Sequence, residues 1–208
     1  MPGHVALLGD SIFDNAAYVP EGKSVIELLK GKLPADCDAT LRAVDGARAS
    51  DVFHQSNAIP KTTTHLVMSI GGNDALWASG ELFTDDPAPL AEALRRVATA
   101  VDTFAQEYRE LILHLLLKEL PLAVCTIYDS IPGMGVAERA GLGVYNDVIT
   151  RTAFRNNLPL IDLRLICDDP GDYSPISPIE PSAQGSEKIA QVIADALMQT
   201  GNSRRVFI

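Results

Sequence analysis

The stretch Val5-Ala6-Leu7-Leu8-Gly9-Asp10-Ser11 decides the fold. Four apolar residues in a row, closed at once by a glycine, describe a strand buried on both faces, as in the interior of a parallel sheet. The design returns at His65-Leu66-Val67-Met68-Ser69-Ile70, which Gly71-Gly72 ends, and at Leu122-Ala123-Val124-Cys125-Thr126-Ile127. Residues 40–44, closed by Asp45-Gly46, and residues 158–163 complete a set of five predicted strands. Helical patterns separate them. Residues 24–33 carry Val25, Ile26, Leu28, Leu29 and Leu33, with Pro34 as a stop. From residue 87 to about 120, Leu90, Leu94, Val97, Val101, Phe104, Tyr108, Leu111 and Leu115 recur every three or four positions, which predicts one long amphipathic helix. Shorter helices are expected over 49–55, 142–156 and 183–198.

Strand and helix alternate throughout, and parallel neighbours need right-handed crossovers, so the expected fold class is α/β. The architecture is a three-layer α/β/α sandwich with a central, mostly parallel five-stranded sheet. At 208 residues the chain fits one domain, 1–208, large enough to bury its own core. In such sheets ligands bind beyond the carboxyl ends of the strands. Attention therefore falls on Gly9-Asp10-Ser11, Asp45-Gly46, Gly71-Gly72-Asn73-Asp74 and Tyr128-Asp129. The proline-rich stretch 170–181 is long enough to be a site loop.

Composition narrows the partners. A formal net charge of −10, with no run of basic residues, argues against nucleic acid and anionic membranes. The greasiest segment, 111–120, is too short to span a bilayer and carries His114, Lys118 and Glu119. Cys37, Cys125 and Cys167 are odd in number and widely spaced, which suggests a reducing compartment. With no export signal visible at the N-terminus, a cytoplasmic location is expected. No cofactor and no metal are expected; the acidic run Asp168-Asp169 with Asp172 reads as a solvated loop. Oligomeric state is open.

Gly-Asp-Ser after one strand and Gly-Gly-Asn-Asp after another could each be a plain turn. Their coincidence at two strand ends points to chemistry. At this point the sequence resembles the SGNH (GDSL-type) hydrolase family of esterases and lipases, from Leu7 to about Ala194. The resemblance implies that Ser11 is the nucleophile, that Gly46 lends a backbone N–H to an oxyanion hole, and that Asn73 lends its side-chain amide. Tyr145-Asn146 and Leu160-Ile161-Asp162-Leu163 also look like family features. The partner implied is a small-molecule ester. Physically, a serine hydroxyl needs a base, and the charge that grows on an attacked carbonyl needs donors fixed in advance.

The last motif departs from the pattern. Where the family has Asp-x-x-His, this chain reads Ser177-Pro178-Ile179-Glu180, followed by Pro181-Ser182. Three readings follow. Glu180 is the base, active in the acidic range unless burial raises its pKa. Alternatively, the site binds a ligand but turns it over weakly or not at all. Or another residue is the base, His54 being the best placed histidine, while Asp172, in the same long loop as Glu180, is another possible partner. Trp77 and Phe83 are candidates for an acyl pocket or for packing beneath the loop, and Phe13, Asp14 and Asn15 for its rim.

Overall fold

The computed structural model describes residues 3–82, 88–199 and 206–208. In chain order the elements are β1 (His4–Gly9), a 3-10 turn (Ala16–Tyr18), α1 (Val25–Lys32), β2 (Asp38–Leu41), and a second 3-10 turn (Ala49–Asp51) running into α2 (Val52–Asn57). Next come β3 (His65–Ser69), α3 (Gly72–Leu82), α4 (Leu90–Leu116), β4 (Leu122–Cys125) and α5 (Val136–Arg155). β5 (Leu160–Ile161), α6 (Leu163–Ile166), a 3-10 turn (Pro170–Asp172), α7 (Ala183–Met198) and β6 (Val206–Phe207) complete the chain.

The strands form one sheet in the order β2-β1-β3-β4-β5-β6, and every pairing is parallel. Strand alternation splits the core in two. Val5 and Leu7 point to a layer with Val25 and Leu29 of α1 and Ile189, Ala190 and Ile193 of α7. Ala6 and Leu8 point the other way, onto Phe104, Tyr108, Leu111 and Leu115 of α4 and Leu142, Tyr145 and Ile149 of α5. All four residues of this strand are fully buried. Each such leucine contributes about 1.5–3 kcal/mol relative to exposure. Helices therefore cover both faces, which is the three-layer sandwich.

The chain goes from β1 outward to β2, then crosses back over β1 to β3 and continues the other way. The loops after β1 and β3 thus part on opposite sides, leaving a crevice at the switch point.

Several expectations shift. The sheet has six strands rather than five, because β6 is a two-residue edge strand too short to show a pattern. The second strand lies earlier, at Asp38–Leu41; beyond it Arg42 and Ala43 both donate to the Leu7 carbonyl and Val44 donates to Gly9, so the chain follows β1 without a regular ladder. α3 was hidden by turn-forming residues at its start. α5 begins at Val136, six residues early, because its first turns are exposed and carry Gly141 and Gly143 in place of an apolar stripe. Among the described residues no helix is long and apolar enough to cross a membrane.

Candidate active site

Three strand ends meet in the crevice, and the tip of β1 is built most tightly. Gly9 has φ +129°, and a Cβ there would lie 1.7 Å from the Ser69 carbonyl oxygen, so only glycine allows β1 and β3 to part so closely. The Gln55 amide clamps this residue: Oε1 accepts from the Gly9 N–H at 2.7 Å and Nε2 donates to its carbonyl at 2.7 Å. Asp10 then turns the chain, its carboxylate accepting the Ile12 N–H at 3.1 Å and its carbonyl the N–H groups of Phe13 and Asp14. Ser11 sits on this turn, 6% exposed.

The first turn of α3 carries Asn73 and Asp74. Asn73 Nδ2 donates to the Ala47 carbonyl at 3.0 Å, which leaves the other amide hydrogen to point elsewhere. The Asp74 carboxylate accepts the Ala49 N–H at 3.1 Å. These bonds pin the loop that contains Gly46, whose φ of +79° suits glycine. On its other side the Asp14 carboxylate accepts the Asp45 N–H at 3.0 Å, and the Tyr18 hydroxyl donates to the Asp45 carboxylate at 2.7 Å.

Glu180 arrives from the opposite end of the sequence and is fixed through its backbone and neighbours. Its N–H donates to the Ser177 carbonyl, closing a turn, and its own carbonyl accepts the Ser174 N–H at 2.8 Å. The Ile179 carbonyl accepts the Tyr128 hydroxyl at 2.6 Å. Asn15, fully buried, reaches across with Nδ2 to Ser186 Oγ at 2.7 Å and to the Pro181 carbonyl at 3.4 Å, while its Oδ1 accepts the Val25 N–H at 3.0 Å. The result is a 4% exposed carboxyl side chain held beside Ser11. The Ser11 hydroxyl interacts favourably with the ionised Glu180 carboxylate, yet Glu180 Oε2 is buried without a hydrogen-bond partner. Ser11 and Glu180 are adjacent, and one carboxylate oxygen of Glu180 is left without a partner.

Burial dominates the electrostatics. It pushes Glu180 up to about 7, with the charge of Asp45 adding to the rise and the Ser11 hydroxyl opposing it. The carboxyl thus titrates near neutrality rather than in the acidic range. Asp10 rises to about 8, through burial and then the charges of Glu180 and Asp74, against the Ile12 N–H. Burial likewise lifts Asp74 to about 6, against the Ala49 N–H.

Asp10, Ser11, Asn73 and Glu180 all line one cavity of about 340 Å³. Gly46 does not, although the loop it belongs to is bonded to Asn73 through Ala47. No histidine lines it. His54 is exposed on α2, His4 bonds Thr40 at 2.7 Å, His65 bonds Thr64, and His114 bonds Ser56 and packs on Phe53. Asp172 is not a partner of Glu180: its buried carboxylate accepts from Lys188 Nζ at 2.8 Å, Gln184 Nε2 at 2.9 Å and the Asp169 N–H at 3.0 Å, binding the preceding turn to α7. Trp77 is exposed under the Arg48 guanidinium, 5.3 Å from its ring centre, and stays off the cavity wall. Phe83 lies outside the described residues. Asn146 clamps the chain beyond β4 as Gln55 clamps β1, its amide bonding both the N–H and carbonyl of Ile127 at 2.8 Å.

Sequence reasoning placed Asn15 at the rim without a function and did not separate Asp10 from the turn. A polar residue following the Ser11 turn, in a stretch with no helical period, was the available signal for Asn15.

Fold and site together define a three-layer α/β/α protein of SGNH type, with a largely apolar pocket at the sheet's switch point that carries a few polar groups. The chain belongs to the GDSL-like lipase/acylhydrolase family, whose model matches residues 7–188. Its fold is similar to that of an acetyl xylan esterase, AlAXEase, with TM-score 0.71 and 20% identity over 94% of this chain and 100% of that one. An extracellular lipase from Streptomyces rimosus gives TM-score 0.69 and 19% identity over 94% and 99% of the two chains. The lipase Lip_vut3 from a goat rumen metagenome gives TM-score 0.74 and 16% identity over 97% and 98%. No curated protein matches the sequence.

Proposed function

We propose that the protein hydrolyses carboxylic esters through an acyl-enzyme on Ser11, with Glu180 as general base. The observation that supports this reading best is a buried carboxyl, poised near neutrality, held beside the Ser11 hydroxyl in the same pocket as Asn73. Glu180 takes the hydroxyl proton as Ser11 Oγ bonds to the carbonyl carbon. It then returns the proton to the departing alcohol oxygen as the C–O bond breaks. Water repeats the sequence on the acyl-enzyme, and the carboxylic acid leaves. A glutamate base needs no third residue to set a tautomer, which is compatible with Ser177 standing where the family has Asp. Raised to about 7, its pKa matches the reference of about 6.5 for the His it replaces, so little basicity is lost.

The charge that develops on the carbonyl oxygen would meet the second Asn73 amide hydrogen and the Ser11 backbone N–H, with the Gly46 N–H joining them only if its loop, which lies off the cavity wall, closes over the ester. Among the described residues neither N–H donates to another protein group. Small ester substrates are the partners this chemistry takes.

Hydrolysis of a short aryl ester tests the reading. Ser11→Ala is expected to lower kcat/KM by at least about 10³-fold, and Glu180→Gln by a similar factor. The wild-type rate should rise with pH through about 7, because the base works only when ionised. A second reading, a ligand pocket without turnover, is favoured by Glu180 standing where the family has its histidine base. It predicts that wild type and Ser11→Ala are indistinguishable.

A further inference from the structure

Away from Glu180 the cavity continues as a groove that bond cleavage alone does not require. One wall is α3, which contributes Ala75, Ser79 and Leu82 at the i, i+4, i+7 spacing of a single helix face. Leu142 and Tyr145 of α5 form the facing wall, and Ile127 lies between them beyond the tip of β4. Among the described residues, no Lys, Arg or His lines the groove, so a phosphate or a free carboxylate would find no counter-charge. Nor does it suit a sugar. Its wall is mainly apolar, and the Ser79 hydroxyl has its hydrogen committed to the Leu76 carbonyl at 2.7 Å, which leaves it acceptor capacity only.

The chemistry sets the direction. Glu180 must hand its proton to the leaving alcohol, so the alcohol lies on the Glu180 side, next to the exposed Pro178 and Ile179. The acyl portion then points the other way, along α3. The two small side chains, Ala75 and Ser79, leave room for it, and Leu82 stands at the remote end.

We propose that α3 is a length ruler for the acyl group: Ala75 and Ser79 admit an unbranched aliphatic chain of about eight to ten carbons, and Leu82 marks its end. This rests on the ester-hydrolase reading. The dimensions agree. From Asn73 to Leu82 the helix rises about 13 Å, close to the extended length of such a chain. The whole cavity, of about 340 Å³, also serves the alcohol side at Pro178 and Ile179, so length rather than volume sets the limit.

Two series of esters test the ruler: aryl esters of acids from two to fourteen carbons, and acetate esters of alcohols over the same range. Along the acyl series kcat/KM should climb about three- to fourfold per methylene, peak near eight to ten carbons and fall beyond twelve, while the alcohol series stays nearly flat. Ala75→Phe and Ser79→Phe should move the peak to shorter acids and cut the octanoate-to-acetate ratio at least tenfold. A flat acyl profile, a length preference that follows the alcohol instead, or a peak that neither variant moves overturns the ruler. If wild type turns over esters of every length equally and Ser11→Ala turns over none, the ruler fails while the catalytic reading stands. If no ester is turned over, thermal shifts of Ser11→Ala protein decide the ruler alone. It requires that decan-2-one, a non-hydrolysable ketone, stabilises that protein where acetone does not, and that adding Ala75→Phe removes the effect; no shift with decan-2-one rejects it.

Discussion

The two sides of the pocket are made of different materials. Around Glu180, loops with little regular structure are fixed by a dense set of buried hydrogen bonds from Asn15, Tyr128 and Ser174, backed by the Asp172–Lys188 pair beneath. The opposite side is built from regular helices, α3 and α5, that present apolar and small side chains and make few polar contacts with the cavity. A proton transfer depends on tenths of an ångström, so its base must be held from several directions. An aliphatic chain asks only for dry volume. On the proposed reading, one side fixes geometry and the other fixes size.

The largest test of that contrast is Asn73→Ala, because Asn73 lies where the two sides join. Losing an oxyanion donor typically costs about 10²–10³ in kcat, and kcat rather than KM should carry the loss. Steady-state kinetics on one ester separate the two. A change confined to KM would move Asn73 to the size-fixing side.

Asn15→Ala should come next. It strands the Val25 N–H and releases the segment behind Glu180, and a buried group left unpaired costs about 1–3 kcal/mol. Denaturant unfolding should record that loss, and kcat should fall about tenfold with KM little changed. Normal stability with normal kcat would show that Glu180 is positioned without it.

The smallest effect is on pH dependence of stability, and its sign is opposite to the usual one for carboxylates. Asp10, Glu180 and Asp74 hold their protons to about 8, 7 and 6, whereas in the unfolded chain they ionise near 3.8, 4.5 and 3.8. Between about pH 4 and 8 the native state therefore binds more protons, and stability falls as pH rises. His65, lowered by partial burial, pulls the other way below 6.5, but it is one group against three. The melting temperature should be higher at pH 5.5 than at pH 8 by about 3 °C or more, and Asp10→Asn should flatten the dependence. A melting temperature that climbs across this range would mean these carboxyls are ionised in the native protein.

Much of this could be read from the sequence because hydrophobic burial leaves periodic marks. The runs at Val5–Leu8 and Leu66–Met68 and the stripe from Leu90 to Leu115 show up one by one in the composition of a window. The Gly-Asp-Ser and Gly-Gly-Asn-Asp turns, and Glu180 in place of the expected histidine, were equally visible. Elements whose stability comes from elsewhere were not. β6 exists because β5 offers it an edge, and the start of α3 is masked by Gly71-Gly72, which also mark turns. The bonds that hold Glu180 join residues as far apart as Asn15 and Ser186, and separations of that kind leave no local trace.

The side-chain clamps have a consequence for motion. Gln55 on Gly9 and Asn146 on Ile127 supply, at the ends of strands, the pairing that a neighbouring strand would give in the middle of a sheet. Strand tips ordinarily fray, and their amide protons are traded with solvent early. In this molecule the amides of Gly9 and Ile127 should keep their protons as long as those of the sheet centre, so that the turn bearing Ser11 hangs from a hinge point that does not open.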